Sequence, residues 1–150
     1  ARCLAGRELP PIDIDLRDAP LDGHRITFNG EDALTYRYQD GALLGYSGHA
    51  ACEIAIDGRM WRFSDKPVGL AFTVAEKERL AEGVKAALLI RCDRAARLTV
   101  PCPFAPDYGA ACALDFYQAD LPVEWSYADG AVSVTVTEEL AGKWIAVGAK

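Results

Sequence analysis

The chain holds two histidines, His24 and His49, and only His49 has a carboxylate at a spacing that suits metal binding or proton transfer: Glu53, four residues on. His49 and Glu53 are therefore the candidate metal-binding or acid–base pair, while a site built mainly of histidine is beyond what two imidazoles can supply. Ser47 lies two residues from His49, but no third orienting group and no G-x-S-x-G turn accompany it, so a hydrolytic triad is not expected. Carboxylates are plentiful, and plenty selects no pair for acid–base work on a glycosidic bond. Asp65 and Asp107 read as turn residues beside Pro67 and Pro106, and Asp115 as one on an outward face. Neither phosphate-cradling glycine pattern is present. Arg91, Arg94 and Arg97 are the densest basic group, read as decoration of a hairpin end, with a small anion site as the sharper alternative. A net charge of -6 opposes binding to a phosphate backbone, so nucleic acid is not an expected partner, and no cofactor is expected.

Thiols and rings are the remaining chemistry. Cys3, Cys52, Cys92, Cys102 and Cys112 form no C-x-x-C pair, and the last four share the apolar parity of their strands; they read as buried, unpaired thiols. Cys102 and Cys112, flanking a turn near Asp107, are the best disulfide candidate. Planar rings can stack on the apolar face of a sugar. Trp125 and Tyr127 share parity with Leu121 and Val123, and Trp61 with Phe63, which assigns all of these to the core. The rings left over are Tyr46 in a Gly-flanked segment, Tyr108 in the Pro-rich stretch 101–109, Tyr117 on the polar parity, and Trp144 in the last strand. These four are the candidate carbohydrate-binding residues, Tyr46 and Tyr108 first, because loops on a rigid sandwich usually carry binding groups.

The elements that must position these groups are strands. Apolar and polar residues alternate with period two at Ile12–Leu16, Leu34–Tyr38, Val68–Val74, Leu121–Tyr127 and Val132–Val136. Asp-Gly or Asn-Gly pairs punctuate them at residues 22–23, 29–30, 40–41, 57–58 and 129–130. Two hairpins follow, one turning at Asp57-Gly58 and one at Asp129-Gly130. The stretch 84–92 is apolar on both parities and reads as a central strand. Only 75–82 looks helical, ending at Gly83. The expected fold is all-β, an antiparallel β-sandwich, jelly-roll-like or Ig-like, of about nine or ten strands with at most one short helix. Residues 1–20, punctuated by Pro10, Pro11 and Pro20, read as a linker or edge strand, and 21–150 as one sandwich domain. No apolar run approaches the roughly 20 residues of a membrane-spanning helix, so membrane insertion is not expected. Met60 is the only methionine, which suggests a removed leader or a piece of a longer protein. Arg exceeds Lys and Asn29 is the only asparagine, a bias that points to a GC-rich bacterial source.

At the carboxy-terminal end, Leu-Pro-Val-Glu-Trp, Val-Ser-Val-Thr-Val and Leu-Ala-Gly-Lys-Trp-Ile-Ala-Val, between Leu121 and Val147, resemble the closing strands of accessory β-sandwich domains in bacterial glycoside hydrolases. That resemblance implies a non-catalytic module of a larger or secreted protein, more often outside the cytoplasm than in it. Its partner would be a catalytic or neighbouring domain of the same polypeptide, or a glycan. The His49 and Glu53 spacing near Gly45, Gly48 and Gly58 resembles part of the cupin metal motif. Ala51 stands where a cupin has its second histidine, and no later histidine follows. The alternatives are thus a small metal-dependent enzyme or binder using His49 and Glu53, and an adhesin or assembly domain that pairs through its strand edges.

Overall fold

The computed structural model describes residues 26–29, 35–56, 58–80, 82–112 and 121–150. Twelve antiparallel strands run through them: β1 Ile26–Asn29, β2 Thr35–Gln39, β3 Ala42–Ala51, β4 Glu53–Ile56, β5 Arg59–Arg62, β6 Val68–Val74, β7 Ala86–Cys92, β8 Ala96–Pro101, β9 Tyr108–Cys112, β10 Glu124–Ala128, β11 Ala131–Val136 and β12 Trp144–Ala149. The reading of residues 1–20 as a linker or edge strand, like the strand expected at Ile12–Leu16, lies outside the described residues. The all-β antiparallel expectation holds, with more strands than the period-two count supplied. Part of the excess comes from the stretch around Cys52, where one extended run serves two sheets as β3 and β4.

One layer is a six-stranded sheet in the order β2-β3-β6-β7-β12-β9. The other is made of two three-stranded sheets, β1-β4-β5 and β10-β11-β8. Phe63, just past β5, joins them: its N–H donates to the Cys52 carbonyl at 2.8 Å, and its own carbonyl accepts from the Thr99 N–H of β8 at 2.9 Å. The inner faces meet in one core. Tyr46, Leu70, Phe72, Leu88, Ile90, Ile145 and Val147 come from the six-stranded side, and Ile54, Ile56, Phe63, Leu98, Val132 and Val134 from the other. Sheets that bury their inner faces against one another are what half-buried alternating strands require.

The turns obey their chemistry. Asp40-Gly41 has φ of 51° and 78°, and Asp129-Gly130 has 52° and 76°, the left-handed pair that matches the twist of a two-residue hairpin. β7 is central as expected, between β6 and β12, with Ala87, Leu88, Leu89 and Ile90 all buried. The hairpin tips are tied together where Arg59 donates to the Gly41 carbonyl at 3.0 Å while its guanidinium lies 4.7 Å from the Trp61 ring centroid. The helix expected over 75–82 is corrected: only Lys77–Arg79 form a 3-10 turn. Glu76 and Leu80 on either side are extended, and no side chain caps it. Good helix formers over so short a stretch do not offset the cost of nucleation.

Candidate functional site

The ring candidates divide sharply. Tyr46 sits in the middle of β3 and is 0% exposed, its ring 4.7 Å from that of Phe63 and 5.8 Å from that of Phe72. The expectation of an accessible Gly-flanked segment is corrected here, since the flanking Gly45 and Gly48 belong to the same strand. Gly48 makes room for the ring, because a Cβ there would lie 2.8 Å from Tyr46 Cζ and collide with the hydroxyl. Trp144 is also corrected as a surface ring: it is 2% exposed, packed with Leu89 and Ala146 on the outer face of the six-stranded sheet. Tyr108 is half-buried on the edge strand β9, with Lys150 Nζ 4.6 Å from its ring centroid. Burial first, and then the nearby Asp107 carboxylate, push its phenol upward in pKa. Tyr117 lies outside the described residues.

His49 lies on β3 and Glu53 opens β4. Pairing between β3 and β6 is irregular from Gly48 to Ala51, and the chain then leaves that sheet at Cys52, so the two do not share one regular strand. His49 is exposed, and Glu53 lies 3.9 Å from Arg62. The described residues contain no group of three His, Cys, Asp or Glu side chains able to hold a metal ion. The arginines diverge as well. Arg91 is half-buried opposite Trp144 in the register of β7 and β12, Arg94 pairs with Asp93 at 3.4 Å in the turn, and Arg97 is exposed on the other layer.

Cys52, Cys92 and Cys102 are buried, as their parity predicted. Cys92 and Cys102 are free thiols raised in pKa by burial, which keeps them protonated and poorly nucleophilic. Cys102 Sγ donates to the Phe104 carbonyl at 3.1 Å. Its suggested disulfide partner, Cys112, has a side chain outside the described set.

Among the described residues the most accessible aromatic surface is one that parity assigned to the core. Tyr127 is 37% exposed and Trp125 is half-buried. Both do point to the inner side, opposite Val132 and Val134. Among the described strands β10 is the last of its sheet, which leaves them short of full burial. The Trp125 indole lies against the backbone of Gly109 on β9, where a Cβ would stand 2.6 Å from its Nε1. Phe104, Leu121 and Val123 are, like Trp125, partly buried against the core. Two side chains two residues apart on a strand share a face, with Cα atoms about 7 Å apart. The outer face of the same strands is hydroxylic, with Ser126, Ser133 and Thr99 in one register row and Glu124, Thr135 and Arg97 in the next. One sequence signal pointed this way: Pro122, just before the strand, is a residue that sheets confine to edges and strand starts.

No family model, no curated protein and no solved structure matches the chain. Among the described residues no helix is long and apolar enough to cross a membrane.

One stability prediction arises at Tyr46, whose buried hydroxyl has no hydrogen-bond partner. Tyr46→Phe is expected to be neutral or to stabilise the fold by up to about 1 kcal/mol in urea unfolding, since an unpartnered buried polar atom carries a desolvation cost that the replacement removes. Burial, with a smaller contribution from Cys52, pushes the phenol up to about 12 from an ordinary 10. The folded state thus favours the neutral form. The stability linked to this group is intact below pH 10 and is lost as pH rises from 10 toward 12. Unfolding curves across that window should show a steeper alkaline decline in the parent chain than in Tyr46→Phe.

Proposed function

We propose that this chain is a non-catalytic β-sandwich module, accessory to a carbohydrate-active enzyme or itself a carbohydrate binder, and that Trp125 and Tyr127 are its sugar-contacting rings. The observation that carries the reading is the pair of rings on the edge strand β10, one exposed and one resting on the Gly109 backbone. A ring held by packing on one side and open on the other presents a rigid apolar plane at little entropic cost. The thiols of Cys92 and Cys102 are buried and raised in pKa by that burial.

The test is a glycan array followed by titration calorimetry with whatever oligosaccharide the chain retains. Tyr127→Ala should weaken binding at least about tenfold, as loss of a stacking aromatic does. Its melting temperature should stay close to that of the parent, because the side chain is largely outside the core. Binding unchanged in that variant, or an array without any retained glycan, would remove the proposal.

A further inference from the structure

The outer face of the six-stranded sheet is buried, and the described strands do not account for that burial. Ala71 of β6, Ala87 and Leu89 of β7, and Trp144 and Ala146 of β12 alternate with Leu70, Phe72, Leu88, Ile90, Ile145 and Val147, which belong to the core, so they point away from it. Yet all five are buried, Leu89 at 0% exposed and Trp144 at 2%. Neighbouring strands shield the flanks of such side chains and leave their tops open, so burial this deep requires a further layer on the sheet. The other layer of the sandwich lies on the wrong side to supply it. Among the described residues only Ala75 packs against the cluster of Leu89, Trp144 and Ala146. Arg37, on the same face, is held at the carbonyls of Leu44 and Val74, two strands short of β12.

We propose that this face is covered by the chain segment that precedes β1, with Ile12, Ile14 and Leu16 laid on β7 and β12. Because the burial is complete within one chain, the occupant is the chain itself and not a second copy. Length selects the segment. Residues 30–34 are a five-residue link from β1 to β2, and 113–120 leave β9 at Cys112, opposite Trp144, and arrive in the other layer at Leu121. Ala87 stands opposite Gly148, four residues along the ladder from Trp144. A path from Cys112 out to Ala87, back, and across to the other layer is about 36 Å, against the roughly 30 Å that this link spans when fully extended. Residues 1–25 have the length. Ile12, Ile14 and Leu16 alternate there with Asp13 and Asp15, so an extended run sets three apolar side chains on the sheet and both carboxylates toward water. The alanines at 71, 87 and 146 leave room for branched side chains between Leu89 and Trp144. This cover is independent of the carbohydrate reading.

The chain has three tryptophans, so Trp61→Phe with Trp125→Phe leaves Trp144 as the only indole. In that background its emission should be blue and poorly quenched by acrylamide. Adding Ile12→Asp, Ile14→Asp and Leu16→Asp should red-shift the emission and raise the quenching constant several-fold. The circular dichroism spectrum should be retained, because the core lies on the other face of the sheet. Leu114→Asp with Phe116→Asp, in the link 113–120, should leave Trp144 shielded. A photoreactive benzoylphenylalanine in place of Ile14 should cross-link to β7 or β12, which decides the matter if the aspartate variants unfold. Trp144 as shielded in the triple aspartate variant as before it, exposure caused by the 113–120 substitutions instead, or an absence of cross-links from position 14 to β7 and β12 would overturn the assignment.

Discussion

Phe63→Ala is expected to lower the unfolding free energy by about 4 kcal/mol, the range for truncating a fully buried phenylalanine in a core that cannot collapse around the gap. Phe63 stands 4.7 Å from the Tyr46 ring and 5.3 Å from the Phe72 ring, so its removal empties the centre of the aromatic cluster. Its backbone also joins the two three-stranded halves of one layer through Cys52 and Thr99. The side chain is what holds that backbone in place. Chemical denaturation should therefore show a lower midpoint, and hydrogen exchange should rise at Thr99 more than at β12, which is tied to β7 and β9.

Gly48→Ala should cost about 3 kcal/mol, the upper part of the range for overpacking a close-fitting interior. The new methyl would meet Tyr46 at its hydroxyl, at Cζ and, at 3.2 Å, at Cε1, and that ring is confined by Phe63 and Phe72. Because Cζ remains when the hydroxyl is removed, Tyr46→Phe should rescue Gly48→Ala only in part. A smaller partner, as in the double variant Tyr46→Leu with Gly48→Ala, should recover more. Equal unfolding midpoints for Gly48→Ala and the parent would show that the ring is not confined there.

What the sequence disclosed follows from which physical signals are local. The Asp-Gly turns at 40–41 and 129–130, and the hairpin through 57–58, are written in adjacent residues, and the strands they join pair with each other. The apolar stretch over β7 reported its own burial on both faces. Parity along a strand, by contrast, says which side a residue faces and nothing about where the strand lies in its sheet. Tyr127 faces inward as its parity requires and is still exposed, because β10 is the last of the described strands in its sheet. Tyr46 looked accessible through its glycine neighbours, yet Gly48 serves to seat the ring inside the core. Trp144 was uncommitted by pattern and became buried on the outer face with Leu89, a contact between strands far apart in sequence. For His49 and Glu53 the spacing assumed one unbroken strand, and the chain changes sheets between them.

The measurement that reaches the central claim most directly is calorimetric titration of one retained oligosaccharide into the parent chain, Tyr127→Ala and Tyr46→Phe, each first shown to be folded. The account predicts binding by the parent and by Tyr46→Phe with the same affinity, and a loss of at least about tenfold in Tyr127→Ala. Undiminished binding by Tyr127→Ala would contradict it.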